Sequence, residues 1–327
     1  MKAFAIFSVL CAHTHPVLDS ASDFLHRVSQ ILSEIGAVGV GVFFVISGYL
    51  FQQGRKHKKS FGIFVEKKFK GLIIPWVTSA TIVYLYVAIR KGGSVLEYLL
   101  MLVGYESYCW YMTVLFVIYI IFYVFTNAFE GKYENIAIVG MILMSVVSIC
   151  LRGCGIIRSD AIGIYLNIFN WGIFFAVGMV FAKAKVKFVN SIFNCLYICI
   201  VAILCMYVGA YIFNQTFSYY SFYYIGVELI IVFAIFCVSD LLARKENFFS
   251  NTLIIIGRMS FPIYLYHQFI WAGAVVSITN RFDSPILVVM RPFVVGLIVI
   301  IELKLGESIA KRMNKLELYQ TMTGMGR

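Results

Sequence analysis

Charge is scarce in this chain. Asp, Glu, Lys and Arg together make up 13% of its 327 residues, about half the share of a soluble domain (about 25%). That excludes an ordinary soluble fold. What charge there is leans positive, with 27 Lys and Arg against 16 Asp and Glu, a net charge of +11. In so apolar a chain this excess reads as membrane topology and surface charge, and nucleic acid is not an expected partner. There is no cleavable signal-peptide pattern, no low-complexity segment and no internal repeat. The lack of a repeat disfavours the secondary transporters built on inverted halves. The eight cysteines form no disulfide framework. Cys11, Cys195, Cys199, Cys205 and Cys237 sit in apolar runs and read as small hydrophobes. Cys150 and Cys154 are four apart with no acidic or histidine partner nearby, so no metal site is expected.

Apolar residues are plentiful, at 61%, and they come in runs near bilayer length. The expected fold is all-α, a polytopic transmembrane bundle of about ten spans. These are 2–15, 36–54, 71–90, 109–128, 134–151, 161–183, 190–213, 221–242, 251–277 and 285–305, with 94–104 as a shorter interfacial or re-entrant piece. Placing the N-terminus in the cytoplasm puts 19 of the 27 cations on that side and seven outside, Arg291 among the seven, with Arg258 left in a span. The asymmetry supports both termini inside. Residues 1–306 are then one membrane domain and 307–327 a short basic cytoplasmic tail.

Four stretches stand out. In KAFAIFSVLCAH, Lys2 and His13 are eleven residues apart, about 20° around a helix and about 16 Å along it. An imidazole inside a membrane is costly to keep and marks a functional candidate. His13 and His15 point about 200° apart, which rejects a Cys11–His13–His15 metal site. In IGAVGVGVFFVISGYLF, Gly36, Gly39 and Gly41 permit close helix approach, while Ser47 and Tyr49 place polar groups at the inner end. The following loop is the most basic in the chain. It reads either as a positive-inside anchor or as a site for the phosphates of a cytosolic nucleotide cofactor, with Lys67, Lys68 and Lys70 beside Pro75 and Trp76. In IGRMSFPIYLYHQFI, Gly257, Ser260, Tyr264 and His267 fall within about 80° of one another, with Arg258 beside them. That stripe serves either interhelical hydrogen bonding or a site. The aromatic group around Trp110 reads as an interfacial belt, and such rings also stack on sugars.

In sequence order these stretches resemble acyltransferase family 3, the integral membrane acyltransferases that include bacterial polysaccharide O-acetyltransferases. KAFAIFSVLCAH resembles the family's opening block of an arginine, ten residues and a histidine. GVGVFFVISGYLF, EKKFKGLIIPW and IGRMSFPIYLYH resemble its second, basic-proline and late histidine blocks, and CWYMTVLF its central tryptophan segment. Two departures are plain. Lysine stands at Lys2 and in the pair before Pro75 where the family pattern has arginine, so a point charge replaces a two-pronged donor.

The resemblance implies transfer of an acyl group, usually acetyl, from cytosolic acyl-CoA to a hydroxyl of a surface or lipid-linked carbohydrate, in the bacterial cytoplasmic membrane. It implies His13 as general base, with Lys2 and His267 as further catalytic candidates. Lys67, Lys68 and Lys70 are the implied holders of the acyl-CoA phosphates. Ser47, Tyr49, Trp110, Arg258, Ser260 and Tyr264 are the substrate or oxyanion candidates, and acyl-CoA is the donor with no metal. A stand-alone membrane form is expected, with no soluble extension. The competing readings are a secondary transporter or lipid-linked sugar flippase, and a sensory or scaffold membrane protein.

Overall fold

A computed structural model describes residues 1–54, 60–105, 107–128, 132–157, 162–183, 224–244, 247–268 and 271–325, with five single residues between 197 and 208. The described residues form helices and turns, with no strand among them. The helices are α1 (Lys2–Thr14), α2 (Asp23–Gly54), α3 (Phe61–Lys68), α4 (Ile74–Lys91), α5 (Val95–Val103), α6 (Trp110–Tyr123), α7 (Glu134–Gly153), α8 (Ile168–Lys183), α9 (Tyr224–Ala243), α10 (Phe248–Tyr266), α11 (Trp271–Thr279), α12 (Pro285–Arg312) and α13 (Leu316–Thr323).

Seven described helices are long and apolar enough to cross a bilayer, and two shorter apolar helices lie at Lys2–Thr14 and Trp110–Thr126. The expected span at 190–213 lies outside the described residues, apart from isolated positions. Which faces are exposed identifies the solvent. On α7, Ile136, Val139, Leu143 and Val147 are exposed, while Glu134, Ser145, Ser148 and Arg152 are buried. On α12, Ile286, Val289, Phe293, Leu297, Ile301 and Leu305 are exposed, while Arg291 is 1% exposed. Greasy faces outward and charge inward is the pattern of helices solvated by lipid, so this is an integral membrane protein.

The chain forms two compact units. The first holds Met1, Val40–Lys59 and Leu99–Lys245. Its packing rests on missing side chains. A Cβ on Gly48 would run into the Phe175 carbonyl, one on Gly178 into the Val45 carbonyl, and one on Gly41 into Glu228. Small residues let these backbones touch, which is how membrane helices gain contact without a hydrophobic driving force. A ring cluster fills the space beside them. Phe44 lies 4.9 Å from Tyr111 and 5.7 Å from Trp171, and Trp110 lies 4.8 Å from Trp171 and 5.1 Å from Tyr165. The segment before α8 is pinned by side-chain amides and an indole. Asn170 Nδ2 donates to the Ile164 carbonyl at 2.9 Å and Trp171 Nε1 to the Tyr165 carbonyl at 3.1 Å.

The second unit holds Lys2–Gly39, Ser60–Tyr98 and Glu246–Arg327. Here α1 crosses the first half of α2 at two glycines. A Cβ on Gly36 would sit 2.5 Å from the Ala12 nitrogen, and one on Gly39 2.7 Å from both the Ala5 carbonyl and the Ser8 hydroxyl. Ser8 Oγ in turn donates to the Ile35 carbonyl at 2.5 Å. Gly39→Ala is therefore expected to cost about 1–3 kcal/mol, the usual penalty of overpacking. Thermal unfolding in detergent checks this, and an unchanged midpoint would mean that the crossing tolerates a methyl group.

The structure departs from the expected element limits in three places. Helix α2 starts at Asp23 rather than near 36. The span expected over 251–277 breaks after Tyr266, where the His267 side chain takes up a helix-end carbonyl, and α11 follows. Beyond residue 306, α12 continues to Arg312 and α13 folds back along it. Tyr319 there donates to the Leu303 carbonyl at 2.9 Å. Burial pushes its phenol up to about 12, with Glu302 and Glu307 adding to the effect, so it stays a donor. Gly324 ends α13 at φ 74°, in the left-handed region, and the buried Thr323 and Met325 flank it.

Candidate functional site

The seam between α1 and α10 carries the candidate site, all of it within the second unit. At one end Lys2 meets Gly257. A Cβ on that glycine would lie 3.4 Å from Lys2 Cβ and 3.7 Å from the Ala3 nitrogen. At the other end the rings of His13 and His267 face each other with centroids 5.0 Å apart, tilted by 49°. Eleven residues separate the two contacts on α1 and ten on α10, so the helices run parallel with their residues nearly in step. The 20° offset read from the sequence thus puts both Lys2 and His13 on the α10 side.

Helix α4 runs the same way. Ser79 Oγ donates to the Leu265 carbonyl at 3.0 Å. A Cβ on Gly324 would reach Phe261 at 2.8 Å and Pro75 at 3.5 Å, which sets Pro75 near the level of Phe261. Four residues further along each helix come Ser79 and Leu265. The lysines that precede Pro75 therefore lie toward the Lys2 end of the seam, and the histidines lie at the far end. A π-helical turn, Phe69–Ile73, feeds this segment into α4 just before Pro75 removes a backbone donor.

His267 is locked in place. The last carbonyls of a helix have no partner within it. Here the His267 backbone N–H donates to the Ile263 carbonyl at 2.9 Å. Its ring Nδ1 lies 2.8 Å from the Tyr264 carbonyl. A carbonyl only accepts, so Nδ1 carries the proton and Nε2 presents a lone pair. The residue is 0% exposed, and among the described residues Nε2 has no hydrogen-bond partner. An acceptor buried without a donor is costly, by about 1–3 kcal/mol, and the half-buried His13 is the imidazole beside this ring.

The remaining candidates divide. Ser260 and Tyr264 are buried on the same stripe, and Ser260 Oγ donates to the Gly257 carbonyl at 2.8 Å. Tyr264 lies 6.1 Å, ring to ring, from His267. Arg258 is exposed. Lys67 is exposed and Lys68 half-buried, its ammonium 5.7 Å from the Phe64 ring centroid. Lys70 pairs with Glu66 at 2.7 Å in the open, a contact worth little. Ser47, Tyr49 and Trp110 belong to the first unit. There Ser47 hydrogen-bonds Tyr111, Gln53 donates to the Tyr49 hydroxyl at 3.4 Å, and Trp110 stacks in the ring cluster. Among the described residues no group of three His, Cys, Asp or Glu is placed to hold a metal.

Sequence reasoning missed Arg291. Counting charges by side set it outside, although it interrupts the apolar run VVMRPFVV. The structure buries it in α12 against the end of α1.

These features define a helical membrane protein that keeps two facing imidazoles at one end of a parallel seam and lysines at the other. A family model described as an acyltransferase domain, Acyl_transf_3, matches residues 1–302. The chain belongs to that family, acyltransferase family 3, and is a membrane acyltransferase. No curated protein and no solved structure matches it.

Proposed function

We propose that this protein is an O-acyltransferase of the bacterial cytoplasmic membrane. It moves an acyl group, acetyl first, from cytosolic acyl-CoA to a hydroxyl of a surface or lipid-linked carbohydrate. The observation that carries this reading is the His13–His267 pair, where one imidazole has its tautomer fixed by a carbonyl and lies 5.0 Å, ring to ring, from the other. That arrangement suits a base and its orienting partner.

The chemistry needs one proton to move twice. His13 takes the proton of the acceptor hydroxyl as its oxygen attacks the thioester carbonyl carbon. A tetrahedral oxyanion forms and collapses, the C–S bond breaks, and the CoA thiolate recovers the proton from His13. The products are an ester and free CoA thiol. His267 Nε2 accepts an N–H from the His13 ring and steadies the imidazolium between these steps. Tyr264, buried one turn before His267, is the hydroxyl we assign to the oxyanion. On the other side of the reaction, Lys2, Lys67, Lys68 and Lys70 gather at the opposite end of the seam, where the donor's phosphates dock from the cytosol.

Membranes containing the protein, supplied with acetyl-CoA labelled in the acyl group, are expected to release CoA thiol as label enters base-labile material. A flippase would move carbohydrate and release no thiol, and that result would remove the acyltransfer reading. The lysines make a narrower prediction. Replacing Lys67 and Lys68 together by alanine raises the KM for acetyl-CoA about five- to thirty-fold, the loss of two water-exposed charge contacts worth roughly 0.5–1 kcal/mol each. An unchanged KM with altered protein levels would reduce these lysines to a topology anchor.

A further inference from the structure

We propose that Arg291 is a positioning residue for the reaction. It clamps the last turn of α1 and so fixes where the His13 ring sits. The proposal rests on the reading of His13 as the base and extends it to a residue that touches no reacting atom.

The end of α1 is unusual for a membrane helix. Pro16 stops the helix and no glycine caps it, so its carbonyls need donors from elsewhere. Leu10 O is taken by the Thr14 hydroxyl at 2.7 Å and Cys11 O by the His15 N–H at 3.1 Å. The carbonyls of Thr14, His15 and Pro16 are taken by side chains from distant helices. Arg291 Nη1 donates to Thr14 O at 3.3 Å and to Pro16 O at 2.7 Å. Ser29 Oγ donates to His15 O at 2.7 Å. In lipid, each of these carbonyls would be stranded without its partner.

Arg291 is itself held on both sides. Nε donates to Thr279 Oγ1 at 2.7 Å and Nη2 to Asn280 Oδ1 at 2.5 Å. Thr279 donates onward to the Val275 carbonyl at 2.6 Å. Four acceptors from the ends of two helices thus converge on one guanidinium that is 1% exposed, and none of the four is a carboxylate. A cation kept in a membrane with four neutral acceptors on its guanidinium is an expensive way to close a helix end. The planar fork gives a reason. It reaches the carbonyls of residues 14 and 16 and the α11 terminus at once, which the tetrahedral ammonium of lysine does not match. His13 precedes the clamped Thr14 by one residue. Any swing of this turn therefore changes the 5.0 Å approach of His13 to His267.

Arg291→Lys and Arg291→Met test the clamp, with His13→Ala alongside. A misplacement of about 1 Å in a reacting group costs roughly 10²-fold. The Met variant is therefore expected to lose about 10²-fold in kcat and the Lys variant about tenfold, with KM for acetyl-CoA within twofold in both. A second readout needs no activity. The chain has five histidines, so ring resonances in histidine-labelled protein in detergent are few, and His13→Ala assigns that of His13. Arg291→Lys is expected to shift the His13 resonance. An unmoved His13 resonance, or a kcat within twofold of wild type, overturns the clamp. If the Met variant does not fold, the Lys variant decides alone. Transfer that survives in His13→Ala would instead overturn the base reading, while the resonance still reports whether Arg291 places the ring.

Discussion

His13→Ala lowers kcat for acetyl transfer by about 10²–10⁴-fold, the range a positioned general base contributes. KM for acetyl-CoA stays within twofold, because the lysines proposed to meet the donor lie at the other end of the seam. The physical basis is geometric. His13 ends an apolar helix with its ring half-buried and 5.0 Å from a second imidazole. Alanine removes the ring without touching the two glycine contacts that seat α1 on α2. The variant should therefore fold, and thermal unfolding in detergent checks that separately from kinetics. A fall in kcat and stability together would point to packing as the role of His13. A fall in kcat alone is the signature of a base.

His267→Asn is the second large effect, and its design separates structure from chemistry. The asparagine amide reaches the Tyr264 carbonyl much as Nδ1 does at 2.8 Å, so the helix end keeps its donor. What is lost is the lone pair at Nε2. If that lone pair orients His13 and supports the imidazolium, kcat falls by about 10²-fold or more with folding intact, as when the orienting partner of a base is changed. His267→Gln makes the opposite cut. It keeps a polar atom near Nε2 and gives up the bond to Tyr264. An active His267→Asn with an unstable His267→Gln would make this histidine a helix cap and no more.

How much of this was legible in the sequence depends on whether the signal was local. The Lys2–His13 offset follows from helix geometry alone, and both residues do face one neighbour. The stripe of Gly257, Ser260, Tyr264 and His267 was legible for the same reason, and every member is buried or at its helix end. Gly36 and Gly39 likewise sit at a close crossing. Arg291 was not legible, because its partners lie 11 to 277 residues away and nothing nearby in sequence announces them. Counting charges by side treated it as one more outer cation. The break after Tyr266 was hidden as well. The apolar pattern continues past it, and only the fold shows His267 turning its ring back onto the helix end. The docking of α13 depends on Tyr319 finding the Leu303 carbonyl, again a contact that no local pattern encodes.

The proposed acyl transfer from acyl-CoA runs through His13. The measurement that tests it most directly is label transfer from acetyl-CoA to base-labile ester, in membranes and envelope from the protein's own host, with wild type and His13→Ala side by side at matched amounts of folded protein. Ester label is expected in the wild type and lost in the variant, with release of CoA thiol lost in step. Equal label in both would contradict the role given to His13. Folded wild-type protein that forms no ester and releases no thiol would contradict acyl transfer to this class of acceptor.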